Sequence, residues 1–351
     1  MKPSNKPSPF HQAGFTLVEI MVGLAIGMLA TMVIMQVMSV FETQKRVTTG
    51  TADAQTNGGI ALYNIGRELQ LAGYPLLPLE DSPLECTALT FGATGIGGIS
   101  PVSITEGVAA PGVSASDTIT IRYGSSQMGG VPTRITAMGA PTANDATVDN
   151  NLGCQANDIA IIINGAACAM TGVSAVPGAS TITLKDNTAV AAGVAIANAN
   201  IACLGAWNEV TYAVNAGNLT RNGVPSVAGI VNLQAQYGVS ATANSNQVAQ
   251  WVNASGGTWA APAIADRNRI KAVRIAVVAR NPKMESTAVT AACSSLTAAA
   301  PTGLCAWAGS ATSPAPTIDL SAGDTNWLRY RYRVFETIIP LRNVIWSKDT
   351  L

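Results

Sequence analysis

From Phe15 to Phe41 the chain carries one formal charge, Glu19, in a run dominated by Leu, Ile, Val, Met, Ala and Gly. At ~1.5 Å rise per residue a helix over this run is roughly 40 Å long, enough to cross a bilayer. No other stretch limits the possible folds as strongly. A carboxylate inside such a helix costs about 2.5–3.5 kcal/mol on insertion scales and normally has a partner and a task. The plainer reading of Glu19 is a tolerated charge one turn inside the membrane interface. The preceding residues 1–14, "MKPSNKPSPFHQAG", are polar and include Lys2, Lys6 and several prolines. A secretory signal places its small-residue cleavage site after the apolar region. Here the small residue, Gly14, comes before it. The basic leader predicts a cytoplasmic amino terminus and an exported carboxy-terminal part.

Only 11% of the 351 residues are Asp, Glu, Lys or Arg, against about 25% in a typical globular domain. Basic and acidic residues balance at 20 each, so there is no electrostatic case for nucleic acid as a partner. The abundance of Ala, Thr, Asn, Ser and Gly suits short strands and long polar loops. All six cysteines, Cys86, Cys154, Cys168, Cys203, Cys293 and Cys305, follow the apolar run. An even number on one side of a membrane segment predicts disulfides made in an oxidising compartment. Buried free thiols are the alternative. Zinc fits less well, because there is no C-x-x-C pair and the one histidine, His11, lies in the leader.

The stretch Gly14 to Glu19, "GFTLVE", resembles the cleavage and methylation motif of class III signal peptides in type IV pilins and pseudopilins. The resemblance implies that a prepilin peptidase cuts after Gly14 and N-methylates the new first residue, Phe15. It also implies that Glu19 neutralises the α-amino group of Phe15 on a neighbouring subunit. A buried carboxylate and a buried ammonium are each costly alone and tolerable together, and such pairs set register. While residues 1–14 remain, Phe15 has no free amine and Glu19 has no such partner. Cleavage also removes Lys2, Lys6 and His11. That leaves 18 basic residues (20 minus 2) against 20 acidic ones, and no histidine.

Beyond Phe41 the pattern turns amphipathic. One helix is predicted on to about Leu71, loosened at Gly58-Gly59 and capped near Gly73-Tyr74-Pro75. Ile60, Ala61, Ile65, Leu69 and Ala72 are expected to face the globular part. From about residue 76 the period becomes two. Strands are expected at 117–123, 158–164, 180–186, 209–214, 230–239, 269–280 and 326–342. Asn215 to Asn218 predicts a hairpin turn returning through Leu219. The segments 92–116, 125–150, 240–266 and 284–325 are expected to be long loops that make surface contacts.

The stretches "NIGRELQLAGY", "YAVNAGNLTR", "VNLQAQYGV" and "LRYRYRVFETIIPLRNVIW" resemble, in the same order, parts of PilW-type minor pilins. Major pilins are about half this length and carry a proline partway along the apolar helix. This chain has Gln36 there, which predicts a helix without a kink.

Cys293 and Cys305 bracket a short loop, "SSLTAAAPTGL", and are expected to pair. Closing such a loop constrains the unfolded chain by roughly 3 kcal/mol. The other four cysteines allow three connectivities. Cys154 and Cys168 flank what reads as one strand, with ends about 20 Å apart. That favours Cys86–Cys154 with Cys168–Cys203.

No catalytic constellation is legible. Without His11 there is no Ser-His or Cys-His pair, and "GATGIGG" (92–98) follows no clear βαβ unit. Asp145 and Asp149 in "NDATVDNN" can hold calcium in principle but lack EF-hand spacing. A polar turn is the simpler reading. The alternation of Trp327, Arg329, Arg331 and Arg333 with Leu328, Tyr330, Tyr332 and Val334 suits nucleic-acid stacking, or a strand with one solvated basic face, the reading preferred here.

The chain is therefore expected to be α+β and type IV pilin-like. Residues 1–14 form a cleaved leader, 15–41 a transmembrane and filament-core helix, 42–75 an amphipathic helix, and 76–351 an antiparallel β-rich periplasmic domain with disulfides and long loops. The resemblance implies a structural minor pilin, not an enzyme, that needs no cofactor or metal. It would sit in the bacterial inner membrane and then in the pilus at the cell surface, and would support priming of assembly, piliation and twitching motility from a tip complex. Its partners would be other minor pilins, the major pilin, the prepilin peptidase, the inner-membrane assembly machinery and inner-membrane lipid. A type II secretion pseudopilin, a pilus-tip adhesin and a membrane-anchored enzyme are the alternatives.

Overall fold

The computed structural model describes residues 14–76, 86, 88–92, 99–139, 144–188, 190 and 194–345. The leader residues 1–13, positions 93–98 of "GATGIGG" and the terminal 346–351 lie outside them. The chain divides after Gly50 into two units, Met1–Gly50 and Thr51–Leu351.

Helix α1 spans Leu17–Leu69. It runs unbroken through Gln36, as expected where no proline removes a hydrogen bond, and also through Gly58-Gly59, which do not loosen it. In the first unit every residue from Gly14 to Arg46 is exposed. In the second unit α1 buries Ala54, Ala61, Ile65 and Leu69, with Ala72 and Leu76 following in the turns after it. Ile60 was expected on that face but is 45% exposed. It is the immediate neighbour of Ala61, so it points about 100° around the helix from the buried stripe.

Three sheets make up the rest. The seven-stranded sheet has the order β1-β7-β6-β9-β4-β5-β8. Its strands are β1 (Ala88–Phe91), β4 (Thr133–Met138), β5 (Asp145–Val148), β6 (Ile159–Asn164), β7 (Ala167–Ala175), β8 (Thr181–Leu184) and β9 (Asn200–Cys203). The five-stranded sheet, β12-β11-β10-β3-β2, uses β2 (Val102–Thr105), β3 (Thr118–Tyr123), β10 (Asn208–Asn215), β11 (Asn218–Arg221) and β12 (Val224–Ala228). The four-stranded sheet, β14-β13-β15-β16, uses β13 (Ile230–Ser240), β14 (Val248–Val252), β15 (Ile270–Arg280) and β16 (Tyr332–Pro340). Pairing is antiparallel throughout the described strands apart from β1 with β7.

The β10–β11 hairpin turns at Ala216-Gly217, with Asn215 opposite Asn218. Both turn residues have positive φ, 48° and 74°, the type I′ geometry that matches strand twist. The strand expected at 326–342 begins only at Tyr332, because Trp327–Arg329 is a 3₁₀ turn. Three of the four expected loops contain strands: β2, β4 with β5, and β14.

The fourth expected loop, 284–325, folds back on the four-stranded sheet. Strand β15, "IKAVRIAVVAR", is apolar on both faces. Val273, Ile275, Val277 and Ala279 join the core that includes Ile65 and Leu69 of α1. Ala276 and Val278 point the other way and are covered by Leu304, Ala306, Trp307, Ile318 and Leu320. A sheet with two apolar faces needs a cover on each, and this loop is the second.

Disulfides join Cys86 to Cys168, Cys154 to Cys203 and Cys293 to Cys305. The expected Cys86–Cys154 and Cys168–Cys203 pairing is overturned. The strand expected between Cys154 and Cys168 is β6, but a tight turn at Gly165-Ala166 reverses the chain into β7 before Cys168 is reached. Cys168 lies opposite Ile163 near the end of β6, and Cys203 opposite Ala160 near its start. Cys154 precedes β6 and reaches Cys203. Cys86 precedes β1, whose parallel register places Leu89 beside Cys168.

Candidate assembly site

The motif around Gly14 lies at the start of α1. Gly14, Phe15 and Thr16 precede the helix, which begins at Leu17. The Thr16 backbone N–H donates to Glu19 Oε2 at 3.1 Å, and the Thr16 hydroxyl donates to the same oxygen at 3.1 Å. In return the Glu19 N–H donates to Thr16 Oγ1 at 3.3 Å. This is the reciprocal capping box of the T-x-x-E pattern, which satisfies helix N–H groups that otherwise lack partners. Sequence reasoning gave Glu19 a role and overlooked Thr16, although the spacing "TLVE" carries the signal. The cap holds the carboxylate at the first turn of the helix, four residues from the Phe15 nitrogen, and uses Oε2 alone. Glu19 is solvent-exposed within the chain.

Beyond Glu19, Gly23 and Gly27 lie one helical turn apart, and a Cβ on either would meet nothing within 4 Å. This G-x-x-x-G spacing lets a second helix approach the backbone closely. The stretch Leu17–Leu69 is the one described helix long and apolar enough to cross a membrane, and its apolar window is wholly unburied.

A second constellation anchors the other end of α1. Glu68 is 4% exposed, and its Oε1 accepts from Arg221 Nε at 3.0 Å and Nη2 at 2.8 Å. Arg221 lies at the end of β11, so the fork ties the last turn of the helix to the five-stranded sheet. Burial first, and then the Glu68 carboxylate, pushes the Tyr212 hydroxyl up to about 12. No local pattern could have joined residues so far apart in sequence.

The remaining candidates disperse. Asp145 sits in β5 and accepts from the Thr183 hydroxyl, while Asp149 follows the strand. Among the described residues no group of three or more His, Cys, Asp or Glu side chains is placed to hold a metal ion. Arg329 Nε donates to the Glu285 carbonyl and Arg331 Nε to the Glu285 carboxylate, each at 2.8 Å.

Two family models match the chain. Residues 9–35 match the prokaryotic N-terminal methylation motif, and residues 207–343 match type IV pilus-assembly protein W. The second match runs from the start of β10 through β16 and includes Arg221. Searches among curated proteins and among solved structures return no match.

Proposed function

We propose that the chain is a minor pilin that takes part in priming pilus assembly, because residues 207–343 match the type IV pilus-assembly protein W (PilW) family and residues 9–35 a prepilin-type methylation motif. The observation that carries this reading is the start of α1. A capping box fixes a carboxylate at the head of a membrane-length helix whose apolar surface is uncovered.

In this reading the prepilin peptidase cleaves after Gly14 and methylates Phe15. The Phe15–Phe41 segment sits in inner-membrane lipid as a single pass, with the disulfide-bonded domain in the periplasm. Glu19 keeps its own cap through Oε2 and offers Oε1 to the Phe15 ammonium of an adjoining subunit. In a low-dielectric bundle the two charges are tolerated only together, so the subunits lock at one axial register. Gly23 and Gly27 admit the neighbouring helix. The partners are other minor pilins and the major pilin, brought together by the inner-membrane assembly machinery into a tip complex that reaches the cell surface.

Deletion of the gene, scored for surface pili, twitching motility and secreted proteins in the same strain, tests the reading. The expected result is loss of pili and motility with secretion intact. Loss of secretion with pili intact would overturn it in favour of a type II secretion pseudopilin.

A further inference from the structure

The described part of the β-rich unit contains a cleft of about 460 Å³ where several chain segments converge. That volume lies within the usual range of small-molecule sites, about 300–1,000 Å³. One wall is the loop 112–116 and another is the β10–β11 turn, 214–217. The far side comprises Arg280 at the end of β15, Leu320, Gly323 and Asp324 of the covering loop, and Tyr332 at the start of β16.

The walls are held in place without a ligand. Ala110 and Val113 exchange backbone hydrogen bonds at 3.0 and 2.8 Å, and the Gly112 N–H donates to the Ala322 carbonyl at 2.8 Å. Ser116 Oγ accepts the Leu233 N–H at 3.0 Å. The turn of the opposite wall is fixed by its two positive-φ residues. A site assembled in advance spends little of its binding free energy on ordering.

The chemistry of the lining selects the ligand. Val214, Val231 and Leu320 give it an apolar part. The Tyr332 hydroxyl already donates to the Trp327 carbonyl at 2.9 Å. Its oxygen also lies beside Arg280 and can still accept, so Tyr332 brings the cleft an aromatic ring and one acceptor. The rim carries Ser114, Asn215 and the Arg280–Asp324 ion pair, whose atoms stand 3.1 Å apart. Arg280 is further held over the Tyr330 ring at 4.6 Å, and Asp324 Oδ1 accepts the Asn326 N–H at 2.9 Å.

An anionic ligand would have to compete with Asp324 for Arg280, and a cation with Arg280 for Asp324. A purely apolar ligand would desolvate both charges and the Asn215 amide without replacing their hydrogen bonds. A neutral ligand with several hydroxyls and an apolar face meets every one of these groups. We propose that the cleft binds a neutral mono- or disaccharide. One sugar face rests on Val231, Leu320 and Tyr332, and its hydroxyls bond to Asn215, Ser114 and the Arg280–Asp324 pair.

The test uses the full processed chain in an amine-oxide detergent free of sugar headgroups. Neutral mono- and disaccharides are titrated by calorimetry, with glucuronate and glucosamine as charged controls and a short acidic peptide as the alternative ligand class. Saturable binding of a neutral sugar, tighter than either charged control, is expected. Bound sugar should slow amide hydrogen exchange at 112–116 and 214–217. Asn215→Ala, at an exposed position, should weaken binding by about fivefold to tenfold, the loss of one hydrogen bond. Val113→Trp, on a rim residue that is 58% exposed, should block the mouth and abolish binding. The proposal is overturned if no neutral sugar binds, if glucuronate, glucosamine or the peptide binds more tightly, if protection falls elsewhere, or if both variants bind as the parent does.

Discussion

Two buried acids carry opposite lessons about single residues. Glu68 is paired: Arg221 covers one of its oxygens with two donors. Arg221→Ala would leave that carboxylate buried without its cation. The Arg221 side chain is 43% exposed, so water replaces part of what is lost, and a destabilisation of about 1–3 kcal/mol is expected. Glu68→Gln keeps an acceptor for Arg221 and should cost less. Urea midpoints of the two variants give the comparison, and the reverse order would contradict this assignment. Asp117, only 2% exposed, has no cation. Its oxygens accept the Gly107 and Ala235 N–H groups at 3.0 and 2.8 Å. Desolvation outweighs those bonds, with a smaller push from Glu106, and raises its pKa from 3.8 to about 6. The folded state therefore holds the proton more tightly than the unfolded chain between those values. This group's contribution to stability is greatest below about pH 4 and is lost as pH rises through about 6. Asp117→Asn removes the titration, and any lost hydrogen bond is independent of pH. The difference in stability between parent and variant should change by about 2 kcal/mol from pH 4 to pH 7, at ~1.4 kcal/mol per pKa unit, with the unfolded acid already half ionised near pH 4. A difference that stays constant with pH would show that the acid does not titrate in this window.

At the scale of elements, adjacent glycines of α1 separate packing from propensity. A Cβ at Gly58 would run into the Phe335 ring of β16, whereas one at Gly59 meets nothing within 4 Å. Gly59→Ala should stabilise by up to about 1 kcal/mol through helix propensity. Gly58→Ala gains the same propensity and loses about 1–3 kcal/mol to overpacking, so its thermal midpoint should fall while that of Gly59→Ala rises. Both midpoints moving in the same direction would contradict the packing of α1 on β16. The disulfides offer a direct check on topology. Peptide mapping of the oxidised protein should recover Cys86–Cys168, Cys154–Cys203 and Cys293–Cys305, and a Cys86–Cys154 peptide would refute the β6–β7 hairpin. That hairpin also marks the limit of sequence reading. Apolar runs such as Ile159–Asn164 and Ile270–Arg280, buried on both faces, were legible because β-branched stretches have few other uses. The β10–β11 turn was legible because Ala216-Gly217 sits between flanking asparagines. The strands β4, β5 and β14 were not, because "TRITAM", "DATV" and "VAQWV" are short and lie in Ala/Thr/Asn-rich surroundings. Asn164-Gly165 is a turn signal, yet it reads only as the end of a strand and not as a reversal into β7, and the cysteine pairing went wrong with it.

The whole molecule combines two solvents in one chain. Residues 15–41 suit lipid or the shaft of a helical bundle, while the unit from Thr51 onward buries a core spread over three sheets. The amino-terminal motif was legible, Thr16 apart, because its chemistry is local: Gly14, Phe15 and Glu19 lie within six residues. Glu68–Arg221 and the saccharide cleft were not, because each is assembled by tertiary folding from distant segments. Assembly is proposed to rest on the pairing of Glu19 with a neighbour's processed amino terminus. Glu19→Val, expressed in place of the parent, tests this pairing most directly. The variant is first verified to begin at methylated Phe15, and its amount in sheared filaments is then compared with its amount in the membrane. A processed variant that accumulates in the membrane and is absent from filaments is the expected result. A processed variant incorporated at the parental level would contradict it.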